Sequence, residues 1–139
     1  MSPSLRRPWP VLTVVAVLLA ILAAVLQYTA PSMIPALQRE PSGLPRGEYW
    51  RLVTPVLVQT LGWYQVVANL VTLALIGAVT ERVLGRRWWL FLFAAGTAGG
   101  ELAAYGWREW GGGDSIAICG LAAGVLVTQL LGRDRPLPW

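Results

Sequence analysis

Residues 11–30 read VLTVVAVLLAILAAVLQYTA, an apolar run without a charged side chain. Twenty helical residues at about 1.5 Å each cover the roughly 30 Å hydrocarbon core of a bilayer. The run therefore predicts a first transmembrane helix. A secretory signal peptide is the alternative, with Arg6 and Arg7 as its basic region and residues 28–30 as a weak cleavage site, although the apolar stretch is longer than in most signal peptides.

The composition of the whole chain indicates a membrane protein. Of its 139 residues, 55% are hydrophobic and 13% charged, and its mean hydropathy is +0.55, so polar groups are too few to cover a water-exposed surface. The chain has no histidine and one cysteine, which excludes histidine-dependent catalysis, imidazole metal sites and intrachain disulfides within these residues. We therefore expect no metal or other cofactor. The arginines are scattered along the chain, which disfavours nucleic acid as a partner.

Three further apolar segments follow at residues 63–83, 88–105 and 115–131, after a mixed loop at residues 31–62. Prolines and charged residues alternate with apolar ones in this loop, a pattern typical of a segment that lies in the membrane interface. The sequence thus predicts an all-α membrane protein, a single domain over residues 1–139 with about four transmembrane helices in the lipid bilayer.

Polar side chains mark one face of the second predicted span. Gln65, Asn69 and Thr72 stand at i, i+4 and i+7, so they share a helix face. Because lipid satisfies no amide group, we expect this face to look into the protein. Its simplest role is an interhelical hydrogen bond, and a contribution to catalysis is the alternative.

The arginines also predict an orientation. With the N-terminus inside, the inner segments hold seven arginines and the outer segments four, and cytoplasmic segments are the ones enriched in basic residues. The inner set is Arg6, Arg7, Arg82, Arg86, Arg87, Arg133 and Arg135, and the outer set is Arg39, Arg46, Arg51 and Arg108. We therefore expect a multi-pass protein of a bacterial-type plasma (inner) membrane, with both termini in the cytoplasm.

The middle of the chain, from residue 47 to about residue 124, carries several short motifs. They are Trp50-Arg51 in the loop, Asn69 on the second span, a Gly-xxx-Glu-xxx-Gly array of Gly77, Glu81 and Gly85, then Gly113-Asp114-Ser115 before the fourth span, and Gly120 five residues later. In this order and spacing they resemble the rhomboid family of intramembrane serine proteases and their inactive relatives. The resemblance implies a rhomboid-like bundle that lacks the family's last two helices.

The resemblance also implies a site at the outer ends of the second and fourth spans. Ser115 corresponds to the family's nucleophile, while Asn69 and Gln65 would stabilise the oxyanion, and Gln65 stands where the family usually has a histidine. The other motif residues would be structural. They are Trp50, Arg51, Gly77, Glu81, Gly85, Gly113 and Gly120.

The chain departs from proteolytic rhomboids at the general base. Those enzymes carry a histidine on a sixth span, whereas these residues contain no histidine and have room for about four spans. An unassisted serine hydroxyl is a poor nucleophile. In addition, Ile116 replaces the glycine that follows the family's serine, and we expect its branched side chain to crowd an approaching substrate.

The predicted function follows from these departures. We expect a non-catalytic rhomboid-like protein that binds transmembrane segments of client proteins, with a partner chain or an oligomer as a further possibility. One alternative is a truncated or split rhomboid-type endopeptidase with Ser115 as its nucleophile. A second alternative is a small membrane scaffold unrelated to proteolysis.

Three carboxylates and the cysteine have predicted structural roles. We expect Asp114 to cap the fourth helix, and Glu101 to reach the interface, pair with Arg108 or act as an unexpected base. Glu81, which precedes an arginine, is expected to form an ion pair or a polar anchor at the inner boundary. Cys119 is expected in the core as a small apolar side chain.

Overall fold

A computed structural model describes residues 9–131, and this part is helical, which confirms the predicted all-α class. The α-helices are α1 (Val11–Thr29), α2 (Met33–Leu37), α3 (Trp63–Leu84), α4 (Arg86–Gly106) and α5 (Ser115–Leu130), and short 3₁₀ helices cover Leu44–Arg46, Tyr49–Leu52 and Thr54–Leu57. Four arginines of the predicted orientation, Arg6, Arg7, Arg133 and Arg135, lie outside the described residues, as do both chain ends.

The four long helices alternate in direction and so define two ends of the bundle. α1 and α4 end, and α3 and α5 begin, at the loop end, which carries residues 30–62 and 107–114. The opposite end, called the turn end, holds the start of α1 and the tight connection between α3 and α4 at Gly85. Gly85 has φ +84°, a left-handed value that residues with a Cβ rarely adopt, so a glycine permits this reversal.

Two of these helices, α1 and α3, are long and apolar enough to cross a bilayer. α5 is apolar but shorter, and α4 includes two arginines and a glutamate. The long helices expose large apolar side chains such as Leu18, Val71 and Leu126, which suits contact with lipid. That all four helices cross the membrane stays a prediction.

The most extensive helix contact is between α4 and α5, whose backbones meet at two glycines. A Cβ on Gly120 would lie 2.5 Å from the carbonyl oxygen of Leu92 and 2.8 Å from the Cα of Gly96. Both obstacles are backbone atoms, so no side chain fits at this position without separating the helices. Small residues therefore permit this close crossing, as they do in other membrane bundles.

A small apolar core lies where the long helices meet. Its buried members are Leu73, Trp89, Ile118 and Leu121. The Trp89 indole stacks on Phe93 with ring centroids 5.0 Å apart, and its Nε1 has no hydrogen-bond partner among residues 9–131. A Cβ on Gly77 would come within 3.4 Å of that Nε1 and 2.8 Å of the Thr13 methyl group. Gly77 on α3 thus leaves room for both the indole and α1.

Glu81 anchors α1 at the turn end. Its carboxylate accepts hydrogen bonds from the backbone N–H of Leu12 (3.0 Å), the backbone N–H of Thr13 (2.8 Å) and the Thr13 hydroxyl (3.0 Å). The first N–H groups of a helix have no partner within that helix, and the helix dipole favours a negative charge beside them. Glu81, a residue of α3, therefore caps α1. The exposed Arg86, 3.5 Å away, is its ion-pair partner.

The loop is folded around Arg51, the arginine of the Trp-Arg motif. Its buried guanidinium donates to the carbonyl oxygens of Pro35 (3.1 Å) and Gln38 (2.6 Å) and pairs with Glu48. The hydroxyl of Tyr105 on α4 donates to the Arg51 carbonyl oxygen at 2.9 Å. The arginine thus satisfies backbone carbonyls that the fold removes from water, and the loop is tied to α4.

An ion cluster of Glu40, Arg46 and Glu48 covers the outer surface of the loop. A hydrogen bond from Ser42, followed by one from Arg46, lowers the pKa of Glu40, and hydrogen bonds from two arginines lower the pKa of Glu48. Both carboxylates therefore stay ionised at neutral pH. Because the cluster faces solvent, it contributes little to stability.

Candidate functional site

A buried polar network occupies the loop end, where α3, α5 and the loop meet. Its centre is Asp114, the residue before α5, which is 4% exposed. Asp114 Oδ1 accepts hydrogen bonds from the amides of Gln59 (2.7 Å) and Asn69 (2.8 Å). The Asn69 amide also donates to Gln59 Oε1 at 2.9 Å. The amide expected to stabilise an oxyanion is thus held by two acceptors of the protein itself.

Gln59 links this network to the first helix. Its backbone N–H donates to Gln27 Oε1 on α1 at 2.7 Å, and its carbonyl oxygen accepts from Gln27 Nε2 at 3.0 Å. Both glutamines are buried, so this paired contact satisfies a polar side chain in an otherwise apolar helix. The network therefore runs from α1 through the loop to α3 and α5.

Gln65, one turn before Asn69, binds the link between α4 and α5, which comprises residues 107–114. Its Nε2 donates to the carbonyl oxygen of Gly112 at 3.1 Å, and its Oε1 accepts from the backbone N–H of Leu61 at 2.8 Å. Gly113 has φ +151°, and a Cβ there would collide with the Gln65 amide. A glycine is required because the link passes directly against this side chain.

Ser115 is the first residue of α5 and is exposed. The structure brings Asn69, Gln65 and Gly113 to the link immediately before it. The hydrogen bonds of the two amides go to Asp114, to a glutamine and to the link backbone rather than to Ser115 itself. The predicted site residues are therefore neighbours, but they form a structural network beside the serine.

The expectation that Asp114 caps α5 is wrong. Asp114 stands at the N-cap position but makes no side-chain hydrogen bond to the helix, and its carboxylate turns to Gln59 and Asn69. Burial raises the pKa of the Asp114 carboxyl, and these amide hydrogen bonds oppose the rise. A buried carboxylate needs several donors to replace its hydration. The two side-chain amides provide them, whereas a cap would provide a single N–H of α5.

Glu101 does not have the expected partner Arg108. It is 1% exposed, and both of its oxygens accept from Arg39 of the loop, at 2.8 Å from Nε and 3.1 Å from Nη2. An antiparallel bridge between Arg39 and Gly111 holds the arginine in place. This two-point contact makes Glu101 an anchor for the loop.

One expectation about α5 is also wrong. Cys119, expected in the core, is exposed, because it lies one turn after the exposed Ser115 on the same face. Ile116, expected to crowd an approaching substrate, points to α4, where a Cβ on Gly100 would come within 2.6 Å of the Ile116 Cβ. The glycine on α4 makes room for the branched side chain and leaves Ser115 uncovered.

The remaining motif residues lie away from this network. Trp50 is half exposed and donates its Nε1 to the carbonyl oxygen of Ala36 at 3.3 Å. Gly77, Glu81 and Gly85 lie at the turn end, where they seat α1 and reverse the chain. Within residues 9–131, no cluster of three or more cysteine or acidic side chains could hold a metal ion.

The buried contacts also include three residues that the sequence did not predict, Gln27, Gln59 and Arg39. Gln27 carried a usable signal, because an amide in an apolar span finds no partner in lipid and must find one in the protein. Gln59 and Arg39 belong to a loop, where polar residues are common and give no such signal.

The chain matches the model of a known protein family. The family model described as the Rhomboid domain matches residues 46–136, well over half of the chain. The chain belongs to the rhomboid family. The matched region includes Arg51, Asn69 and Ser115, so the relationship covers the candidate site. Together with the helical structure, it establishes a rhomboid-like membrane protein.

Two rhomboids of Bacillus subtilis are similar to this chain. One, named "Putative rhomboid protease YdcA", is 30% identical over 104 residues, which cover 71% of this chain and 51% of the relative. The other, the rhomboid protease GluP, is 29% identical over 96 residues, which cover 68% of this chain and 19% of the relative. The chain thus spans about half of the first relative and about a fifth of the second. No solved structure matches it significantly.

Proposed function

We propose that this chain is a non-catalytic rhomboid-like membrane protein that binds transmembrane segments of client proteins. The observation that carries the proposal is the pairing of the Asn69 amide, which donates to Gln59 Oε1 and Asp114 Oδ1. An oxyanion hole needs donors aimed at the space where negative charge develops. Here the donor is already paired, and the neighbouring Asp114 carboxylate would repel that charge.

The lack of a base for Ser115 supports the same proposal. The chain has no histidine, the Asp114 carboxylate binds the amide network, and Glu101 is held by Arg39. Loss of a catalytic-triad member costs on the order of 10⁴-fold or more in turnover. By itself, the chain therefore has no activated nucleophile.

Labelling with a fluorophosphonate tests this proposal, because the reagent reacts with activated serine hydroxyls. The purified chain in nanodiscs is expected to show no more labelling than its Ser115→Ala variant. An active rhomboid protease labelled in parallel is the positive control. Labelling that disappears in Ser115→Ala would contradict the proposal, and Glu101→Gln would then show whether that carboxylate is the base.

The exposed face of α5 supports the binding of a client helix. Ser115, Cys119 and Ala123 are exposed and stand at i, i+4 and i+8. Small residues at this spacing let a second membrane helix approach closely, and a hydroxyl at the same face offers an interhelical hydrogen bond. Segments with a polar residue near the end that lies beside Ser115 are therefore the favoured clients.

Disulfide crosslinking to the native Cys119 measures this binding. In liposomes, a single-span peptide with one cysteine and an asparagine near the end that would lie beside Ser115 should crosslink about three- to ten-fold more than an all-leucine peptide of equal length, since an interhelical hydrogen bond contributes ~0.6–1.4 kcal/mol. Ala123→Leu should reduce crosslinking, whereas Leu22→Phe on an exposed face of α1 should not. Equal crosslinking of both peptides to the native chain and to both variants would contradict client binding at α5.

A second candidate function is a truncated or split rhomboid endopeptidase, which the exposure of Ser115 at the start of α5 favours. A nucleophile needs an open approach and gains from the positive end of a helix dipole. In this case another polypeptide supplies the histidine. Labelling of Ser115 in the chain co-purified from native membranes, but not in the chain alone, would support the split enzyme.

For its location we propose a bacterial-type plasma membrane, with both termini of a single 139-residue domain in the cytoplasm. The distribution of arginines over the whole sequence supports this orientation. The loop end of the bundle, and with it Ser115, then faces outward. The exposed apolar side chains of α3 and α5 are compatible with a partner chain or an oligomer.

A further inference from the structure

An elongated groove of about 310 Å³ runs along the bundle between α1 and α4. Its α1 wall combines alanines about one turn apart with larger aliphatic side chains such as Val15 and Leu19, and its α4 wall is formed by larger apolar side chains. The principal wall residues are Leu12, Ala16, Ala20 and Ala23 on α1, with Leu90 and Phe93 on α4. The alanines keep α1 thin on this side, so a gap remains between the two helices.

The dimensions of the groove fit one extended hydrocarbon chain. From Leu12 to Ala23, α1 rises about 16 Å at about 1.5 Å per residue. Over that length, the volume open to the centres of water-sized atoms corresponds to a passage about 8 Å across, against about 10 Å for a helix. A transmembrane helix therefore does not enter the groove, whereas an unbranched acyl chain does.

The groove ends at a buried carboxylate. Asp114 and Gln59 line its loop end, and its other lining side chains are aliphatic or aromatic. Asp114 Oδ1 accepts from both Gln59 and Asn69, and apart from its own backbone N–H the carboxylate has no other donor in the described part of the chain. Asp114 is 4% exposed, and a buried carboxylate oxygen requires a donor. The groove is the side from which a donor can reach it.

We propose that this groove binds a single-chain amphiphile whose head donates a hydrogen bond, with the tail between α1 and α4 and the head on Asp114. A hydroxyl or ammonium head supplies a further donor to the Asp114 carboxylate. A carboxylate or phosphate head is repelled by the same charge and finds no cationic side chain in the lining. The site is separate from the exposed face of α5 and does not rest on the proposed function.

Photolabelling with matched lipids tests the proposal. The whole chain in nanodiscs at about pH 8, well above the ordinary pKa of a carboxyl, is treated with a monoacylglycerol and with the fatty acid of the same length, each carrying a diazirine in its tail. We expect the monoacylglycerol to label the groove walls about ten-fold more than the fatty acid, because one charge-assisted hydrogen bond separates the two heads. Equal labelling by the two lipids would overturn the proposal.

Three variants locate the binding. Ala20→Phe fills the groove and should abolish labelling, while Leu18→Phe adds the same ring on the exposed face of α1 and should not. Asp114→Asn keeps an acceptor for Gln59 and Asn69 but places an amide donor at the other position, so the fatty acid should then label at least as well as the monoacylglycerol. An unchanged preference would overturn the proposal. Should this variant fail to fold, the two lipids on the native chain decide alone.

Discussion

Arg39→Ala is expected to lower the free energy of unfolding by about 3–5 kcal/mol, the usual cost of removing one partner from a buried ion pair. Arg39 binds both oxygens of Glu101, and the two side chains are 8% and 1% exposed. In the variant, the carboxylate stays buried on α4 without a cation. The bridge between Arg39 and Gly111 loses its anchor, so the loop should also become mobile.

Unfolding by SDS in mixed micelles, followed by tryptophan fluorescence, measures this loss. Arg108→Ala is the matched control, and it should be neutral because Arg108 is exposed. The double variant Arg39→Met with Glu101→Leu should recover most of the stability, since an apolar pair leaves no uncompensated charge. A neutral Arg39→Ala beside a costly Arg108→Ala would show that Glu101 pairs with Arg108.

The helices could be predicted from the sequence because apolar runs of about twenty residues have a well-defined place in lipid. The predicted segments 63–83 and 88–105 differ from α3 and α4 by no more than two residues at either end. The spacing of Gln65, Asn69 and Thr72 also indicated a polar face directed into the protein. The two amides do make hydrogen bonds to the segment before α5. Thr72, however, is exposed, and its hydroxyl donates to the Ala68 carbonyl oxygen of its own helix.

The partners of the buried carboxylates could not be predicted, because they lie far away in the sequence. Glu101 and Arg39 are separated by 62 residues, and Asp114 and Gln59 by 55. Each carboxylate also had a nearer candidate, which was Arg108 for Glu101 and the start of α5 for Asp114. Proximity in the sequence therefore indicated the wrong partner for both carboxylates. In the folded protein, the loop brings donors from distant positions to these carboxylates, which burial has removed from water.

Glu81→Ala is expected to lower the free energy of unfolding by about 2–4 kcal/mol, since each buried donor that loses its partner costs ~1–3 kcal/mol. The carboxylate is the acceptor for the backbone N–H groups of Leu12 and Thr13 and for the Thr13 hydroxyl. The N–H of Leu12 is only partly buried, so water offsets some of the loss. The same unfolding assay measures the change, and hydrogen exchange at the two amides should become faster.

Arg86→Ala separates capping from ion pairing at Glu81. The Arg86 side chain is 57% exposed, and surface ion pairs contribute ~0–1 kcal/mol, so this variant should keep nearly full stability and the slow exchange of both amides. Glu81→Gln retains one acceptor oxygen and should fall between the native chain and Glu81→Ala. If Arg86→Ala instead costs as much as Glu81→Ala while the α1 amides stay protected, the glutamate acts on the α3–α4 turn. The array of Gly77, Glu81 and Gly85 would then stabilise the reversal between α3 and α4 rather than the packing of α1 against α3.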